Sequence, residues 1–141
     1  MAIGYLDVKT SSGVSFYVQR SSNYSSNGTV IPYEVTRLNI GGAMNAGTGV
    51  FTAPVNGRYH FSFKGLSWSS GVATNVHLRV NGVNIGSSWA PLDRYNLPLV
   101  ATLQLKTGDK IDMYLGYGSI YDSANHHTKF TGSLLEEDLL L

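Results

Sequence analysis

Hydrophobic and polar residues alternate along most of the chain, and this period of two predicts β-strands with one buried face. The clearest example is the segment 58–64, in which Tyr59, Phe61 and Phe63 fall on one face and polar residues fall on the other. Aromatic side chains can bury about 150–250 Å² each, so three of them on one face indicate a core strand. No segment shows the period of about 3.6 residues that marks an amphipathic helix.

The alternating segments are separated by turns rich in glycine, asparagine and serine. The strongest hairpin signal is Asn81-Gly82, because both central residues of a type I′ turn need a positive φ. A series of roughly eight to ten short antiparallel strands in one domain predicts an all-β sandwich or jelly roll. We expect these strands within 14–18, 30–38, 58–64, 76–80, 83–85, 97–105, 111–115 and 129–135.

The composition is that of one folded domain with a weakly charged surface. The chain has 141 residues, of which 43% are hydrophobic and 13% charged, and this balance excludes a disordered chain. The net charge of +1 comes without a basic stripe or polybasic cluster, which disfavours nucleic acid and anionic membrane surfaces as partners. No apolar run approaches the ~18–20 residues of a membrane helix, so we expect no membrane insertion.

Two N-glycosylation acceptors, Asn23-Tyr24-Ser25 and Asn27-Gly28-Thr29, fall in one polar loop. They favour a secreted protein, with chance as the alternative because serine and asparagine are frequent here. The absence of cysteine excludes disulfides and thiolate metal sites. The N-terminus lacks the layout of a signal peptide; either that segment was removed or replaced, or the protein is made inside the cell.

The segment from Tyr33 to Phe63 resembles the signature of the complement C1q globular-head family. The matching residues are Asn39, Met44, Phe51, Thr52-Ala53-Pro54, Gly57, Tyr59, Phe61 and Phe63. Further matches extend the resemblance to almost the whole chain: Val14-Ser15-Phe16, Arg20, Asn81-Gly82, Gly108-Asp109 and Phe130-Thr131-Gly132. Tyr33 and Met44 are conservative departures, since both keep a large apolar group. The resemblance implies a ten-stranded antiparallel jelly roll of the type shared with tumour necrosis factor.

The resemblance also divides the chain and implies an assembly. It places the globular head at 14–135, after an N-terminal extension at 1–13 and before an acidic and leucine-rich tail at 136–141. It implies a homotrimer, for which Tyr17, Tyr114 and Leu115 are interface candidates, with the monomer's own core as the alternative. No Gly-X-Y repeat precedes Val14, so the chain is either a head cut from a collagen stalk or a stalkless, secreted, lectin-like form.

No catalytic arrangement is apparent, so we expect a binding protein and not an enzyme. Gly65-Leu66-Ser67-Trp68-Ser69 lacks the closing glycine and the helix of a nucleophile elbow, and the four histidines do not converge as zinc ligands must. Relatives sometimes hold calcium near the trimer apex, and Asp93 and Asp122 are the candidate ligands from two long loops. The alternative for either aspartate is a solvated loop residue.

Three predicted loops, 68–73, 86–96 and 116–127, combine aromatic side chains with amides, hydroxyls and charges, as glycan recognition requires. Arg94 would pair with a sugar carboxylate such as that of sialic acid, while packing over the barrel ends is the alternative for Trp89 and Tyr121. The candidate ligand-binding residues are Trp68, Trp89, Asp93, Arg94, Tyr95, Tyr117, Tyr121, Asp122 and His126.

The leading hypothesis is a secreted trimeric module of innate-immunity type. It would recognise glycans or microbial surface molecules in a lectin-like manner through these loops. The alternative is a protein-binding or oligomerisation head of cytokine-like, synaptic-organiser or extracellular-matrix type, with protein receptors as partners. The sequence leaves the identity of the ligand and its dependence on calcium open.

Overall fold

The computed structural model describes residues 13–68, 72–92 and 94–139, and within them the chain forms twelve strands and no helix. No described segment is therefore a helix that could cross a membrane. The strands are β1 (Ser15–Gln19), β2 (Thr29–Val30), β3 (Val35–Ile40), β4 (Met44–Asn45), β5 (Val50–Thr52), β6 (Gly57–Ser67), β7 (Thr74–Val80), β8 (Val83–Ala90), β9 (Asn96–Leu105), β10 (Lys110–Tyr117), β11 (Ile120–Tyr121) and β12 (Lys129–Glu137).

The strands form two antiparallel six-stranded sheets, which confirms the predicted all-β jelly roll. The first sheet has the order β3-β1-β12-β6-β9, with β11 also paired to β6. The second has the order β4-β5-β10-β7-β8, with β2 also paired to β10. The described residues form twelve strands where ten are predicted. Three of the twelve, β2, β4 and β11, are segments of only two residues beside longer strands.

The core between the sheets is a cluster of aromatic rings. Phe16 packs edge-on against Phe130 with 5.0 Å between ring centroids and lies 5.4 Å from Phe51. Phe61 contacts both Phe16 and Phe51, and Tyr59 stacks beside it on the same strand. All five rings are buried. The predicted aromatic face of β6 is thereby confirmed as the centre of the core.

Gly132 permits the closest approach within this cluster. It lies between Phe16 on β1 and Phe61 on β6 in the strand register. A Cβ atom added at this glycine would lie 2.3 Å from Cε2 of Phe16 and 2.8 Å from Cδ1 of Phe61. Any side chain here would therefore collide with the core, which gives the glycine in the family match a packing reason.

The register of β12 defines two ends of the molecule. β1 begins at Ser15, opposite Ser133, and β12 ends at Glu137, opposite Gly57. We call this the terminal end. β12 thus runs two residues into the segment that the sequence assigns to the tail. The segments that follow β1, β6, β8 and β10 start at the opposite end of the sandwich, which we call the loop end.

Candidate functional site at the loop end

Ser67, the last residue of β6, fixes the turn before β9 to the sheet. Its backbone N–H donates to Tyr95 O at 2.9 Å, and its carbonyl accepts from Arg94 N at 2.7 Å. Its hydroxyl accepts from Tyr95 N at 3.0 Å and donates to the carbonyl of Leu92. Ser67 is fully buried while the side chain of Tyr95 is 49% exposed. Ser67 therefore fixes the backbone that carries the exposed ring of Tyr95.

A second set of hydrogen bonds joins the turn after β10 to β6 and β7. The N–H of Trp68 donates to Ser119 O at 2.8 Å, and the hydroxyl of Thr74 both donates to Ser119 O and accepts from Ser119 N. The backbone of the adjacent Gly118 approaches Thr74 so closely that a Cβ atom would lie 2.4 Å from its hydroxyl. Trp68 is 40% exposed and Tyr117 45%.

Asp122 holds the 122–128 loop together from within. Oδ1 accepts the N–H groups of Ser123 and His127 at 2.7 and 2.8 Å, and Oδ2 accepts that of Thr128 at 2.8 Å. Its own N–H donates to Oδ1 of Asn23 at 2.8 Å. Asp122 is 5% exposed, so the solvated residue expected as the alternative is not what the structure shows.

These bonds do not fit a calcium ligand at Asp122, because both carboxylate oxygens face the chain's own amides. Calcium takes about six to eight oxygen ligands, and the part of the chain that the structure describes contains no cluster of three His, Cys, Asp or Glu side chains placed to hold a metal. Asp93, the other predicted ligand and also a predicted glycan contact, lies outside the described residues.

Arg20 anchors the loop that follows β1. Its buried guanidinium donates to Pro32 O at 2.7 Å and to Asn23 O at 3.2 Å, and lies 3.6 Å from the carboxylate of Glu34. Burial opposes ionisation of Glu34, but hydrogen bonds from Ser22 and from the backbone, together with Arg20, lower its pKa below the ordinary value. Both predicted glycosylation acceptors, Asn23 and Asn27, are exposed in this loop.

Two rings and one guanidinium form a stack at β11. The guanidinium of Arg94 lies 3.9 Å from the ring centroid of Tyr121, whose ring is 5.7 Å from that of His127. Tyr121 lies on β11, which pairs with the end of β6, and not in an open loop as predicted. The Nδ1 atom of the neighbouring His126 lies 2.9 Å from Arg20 O. The stack therefore joins the 94–95 turn to the 122–128 loop.

The structure thus gathers most of the predicted ligand-binding residues at one end. Trp68, Arg94, Tyr95, Tyr117, Tyr121, Asp122 and His126 all lie at the loop end. Trp89 lies at this end too, level with Tyr117, because both pair with Asn75, but β8 continues to Ala90 and places Trp89 within the strand and not in a loop. Its ring is 56% exposed, so Trp89 is an edge-strand residue and does not pack over a barrel end.

The loop end also contains a groove that the sequence did not predict. It has a volume of about 180 Å³ and is lined by Lys64, Leu66, Asn96, Asn125, His126, His127 and Lys129. Only His126 among these residues was predicted as a contact. The others come from β6, β9, β12 and the 122–128 loop, so their proximity depends on strand pairing. The short loop between Asp122 and Lys129 was the signal in the sequence that could have located it.

The interface candidates lie in three different environments. Tyr17 is half-buried on the outer face of the first sheet, between Leu38 and Thr131 in the register. Tyr114 lies on the outer face of the second sheet, where the guanidinium of Arg79 sits 4.0 Å from its ring. Leu115 is fully buried in the core, so for this residue the structure favours the alternative, packing within the monomer.

Sequence and fold comparisons bear on this architecture. A protein-family model for the C1q domain matches residues 15–135. The chain belongs to the C1q domain family. It is similar to Caprin-2 of Danio rerio, with 31% identity over 131 residues that cover 89% of this chain and 14% of the relative. It is also similar to complement C1q tumor necrosis factor-related protein 3 of Mus musculus, with 26% identity over 127 residues that cover 88% of this chain and 52% of the relative.

The fold of this C1q domain resembles that of the globular domain of zebrafish complement 1qA. The TM-score is 0.72 at 19% sequence identity, and the alignment covers 89% of this chain and 99% of the zebrafish chain. The part of each relative that this chain matches is about half of the mouse protein and a smaller share of Caprin-2. C1q and tumour-necrosis-factor-like domains are binding modules that form trimers.

Proposed function

We propose that this C1q domain is a secreted, trimeric, non-enzymatic recognition module that binds glycans of microbial or other cell surfaces through its loop end. The observation that carries the proposal is the way in which Ser67, Thr74 and Asp122 tie the loop-end segments into one unit. Exposed aromatic rings stand on this unit beside amide and cationic side chains. Binding residues on loops that a rigid scaffold positions are the usual arrangement in recognition domains.

The chemistry of the exposed side chains suits sugars. Trp68, Tyr95 and Tyr117 each expose part of an aromatic ring, which can cover the C–H face of a sugar, while asparagine amides and hydroxyls supply directional hydrogen bonds. Because hydrogen bonds already fix the backbone at Tyr95 and Trp68, binding would order few new groups. Preorganisation of this kind lowers the entropic cost of association.

Exposed apolar side chains on two sheet edges support the trimer. The first sheet ends at β9 and the second at β8, and these strands expose Val83, Ile85, Trp89 and Val100. An apolar edge strand that remains uncovered invites pairing or aggregation. The outer face of the first sheet presents Tyr17 and Leu38 in one row with Val100, whereas the exposed residues of β8 belong to the edge of the second sheet, which is a different surface. Contact between this face of one copy and the β8 edge of another would be heterologous, and a heterologous contact forms a ring when its rotation closes, which for a C1q domain would hold three copies.

Trimer formation would raise the strength of surface binding without new contacts at each site. Three identical loop ends would face the same direction, so a surface with repeated glycans could engage them together. Linked weak sites gain avidity by factors of about 10²–10⁴ when the geometry allows simultaneous binding.

Secretion is supported by the exposure of Asn23 and Asn27 within their acceptor motifs, and glycosidase treatment of the protein secreted from animal cells tests it.

The experiment that tests the proposed function is a glycan array probed with the protein after its mass has been established by light scattering. Runs in calcium and in EDTA should both show selective binding, because Asp122 uses its carboxylate within the loop. Selective binding that vanishes in EDTA would contradict this expectation and show that the binding site depends on calcium. Silence of a folded trimer in both runs would overturn the glycan proposal.

A protein-binding head is the second candidate, favoured by exposed apolar side chains in the segments that follow β6 and β8. Val72 and Leu92 are both 56% exposed, and exposed apolar patches mark interaction sites for proteins. A silent array together with saturable binding of the trimer to protease-sensitive sites on cells would support this candidate. Binding that survives protease and is lost after deglycosylation would exclude it.

A further inference from the structure

Two lysines face each other at the loop end of the first sheet without a counterion. Lys64 on β6 pairs directly with Lys129 on β12 in the strand register, and both are exposed. Like charges directly opposite each other destabilise a sheet. Among the described residues neither ammonium group has a hydrogen bond or an ion pair, whereas Arg20, Arg58 and Arg79 each contact a carboxylate.

Among the described residues, those that line the groove beside these lysines offer hydrogen-bond donors and no carboxylate. Its lining combines the two ammonium groups with two amides, two imidazoles and the side chain of Leu66. The adjacent acidic residue of the 122–128 loop, Asp122, directs both oxygens to backbone N–H groups. The groove therefore concentrates positive charge that the described part of the protein does not neutralise.

We propose that this groove binds an anionic group carried by a sugar, either a carboxylate or a sulfate ester. Lys64 and Lys129 would contact the anionic oxygens, because charge-assisted hydrogen bonds are about twice as strong as neutral ones. Asn96 and Asn125 are placed to bond sugar hydroxyls, and Leu66 offers an apolar surface for the ring. The inference rests on the proposed function and names the ligand class of the same loop end.

The dimensions of the groove favour one anionic group over an extended polyanion. Its volume is only about 180 Å³. The stack of Arg94, Tyr121 and His127 stands beside the 122–128 wall and extends the surface that a sugar ring can cover. The exposed apolar residue Val100 pairs with Ser62, which lies two residues from Lys64 along β6 in the direction of the terminal end. The groove therefore lies at the margin of the face proposed for trimer contact.

The test compares three related sugars on the light-scattering-verified protein at low ionic strength. 3′-Sialyllactose carries a carboxylate, 6′-sulfolactose carries a sulfate ester, and lactose carries no charge. Isothermal titration should show at least one anionic sugar binding tenfold or more tightly than lactose. The preference should shrink as salt rises, because screening weakens exposed charge interactions. The comparison of the two anionic sugars assigns the group that the groove accepts.

Two substitutions locate the binding, and a third is the matched control. Lys64→Gln and Lys129→Gln should each weaken binding of the anionic sugar about tenfold and leave lactose unchanged. Each should also raise the thermal midpoint, because the opposed charge is removed. Lys106→Gln removes an exposed lysine from the β9–β10 turn at the terminal end and should leave the binding of both sugars unchanged. It should not raise the thermal midpoint, because the charge of Lys106 attracts the carboxylate of Asp109.

Two results would overturn the inference while the proposed function stands. One is selective binding of a neutral glycan with no preference for the anionic sugars, and the other is anionic binding that Lys64→Gln and Lys129→Gln leave intact. A folded trimer that binds no sugar of any kind would overturn both.

Discussion

The side chain of Asp122 accepts the backbone N–H of Thr128 at a distance of 2.8 Å, and this bond closes the 122–128 loop against the start of β12. The same carboxylate holds Ser123 and His127. The position of the loop that forms one wall of the groove therefore depends on one buried acidic residue. Loss of these bonds would lower the stability of the fold and change the shape of the loop end.

We expect Asp122→Ala to lower the free energy of unfolding by about 3 kcal/mol, because buried donors left without a partner cost about 1–3 kcal/mol each. Asp122→Asn keeps one acceptor oxygen and should cost less. Urea unfolding with fluorescence detection measures both values. The losses should be equal in calcium and in EDTA, and a loss that appears only when calcium is present would mean that Asp122 is a metal ligand.

Gly132→Ala should destabilise the protein by about 1–3 kcal/mol, the usual cost of overpacking a core. The added Cβ atom would collide with both Phe16 and Phe61, and a buried aromatic cluster has little room to adjust. Gly86→Ala is the control, because its Cβ atom would meet only Leu99 at an ordinary 3.4 Å. Equal thermal midpoints for the two variants would contradict this account of the core.

Val100→Lys should shift the protein from trimer toward monomer. Val100 is 65% exposed on the edge strand β9, and a lysine there would place an uncompensated charge in the proposed contact. Light scattering at several concentrations measures the shift. Ser26→Lys adds the same charge to an exposed loop position and should leave the mass unchanged. A Val100→Lys variant that stays trimeric would exclude this edge from the interface.

The stability should fall in mild acid through His77. Burial, and after it the charge of Arg79, lower the pKa of His77 below its ordinary value, so the folded state favours the neutral ring. The stability that the neutral ring contributes is fully present above the pKa of about 6.5 that histidine has in the unfolded chain. It is lost as pH falls through the lower pKa that His77 has in the folded state. His77→Asn should therefore show a smaller drop in thermal midpoint between about pH 7.5 and 5.5 than the native protein. An identical drop in both proteins would contradict this.

The strands with one aromatic or aliphatic face could be predicted from the sequence alone. β6 is the clearest case, since Tyr59, Phe61 and Phe63 are spaced by two and all point into the core. Asn81-Gly82 also forms the predicted turn, with positive φ at both residues. These features depend on local alternation and local backbone conformation, and a single sequence contains both.

The groove and the loop contacts depend on pairing between distant segments and could not be predicted in the same way. Lys64 and Lys129 are 65 positions apart by their numbering, and only the β6–β12 register places them together. Trp89 falls in the predicted loop 86–96, yet β8 continues to Ala90 with Ser88 and Ala90 facing inward. The buried role of Asp122 likewise requires the amides of a loop whose path no periodicity reveals.

The central claim is that recognition occurs at the loop end, and a glycan array run on a matched pair of variants tests it most directly. Tyr95→Ala removes an exposed ring there but keeps the backbone bonds to Ser67, while Leu139→Ala removes an exposed side chain after the terminal end of β12. The account predicts that Tyr95→Ala loses at least tenfold in binding to the glycans that the native trimer selects, while Leu139→Ala binds as the native protein does. Unchanged binding by a trimeric, folded Tyr95→Ala protein together with a loss in Leu139→Ala would contradict it.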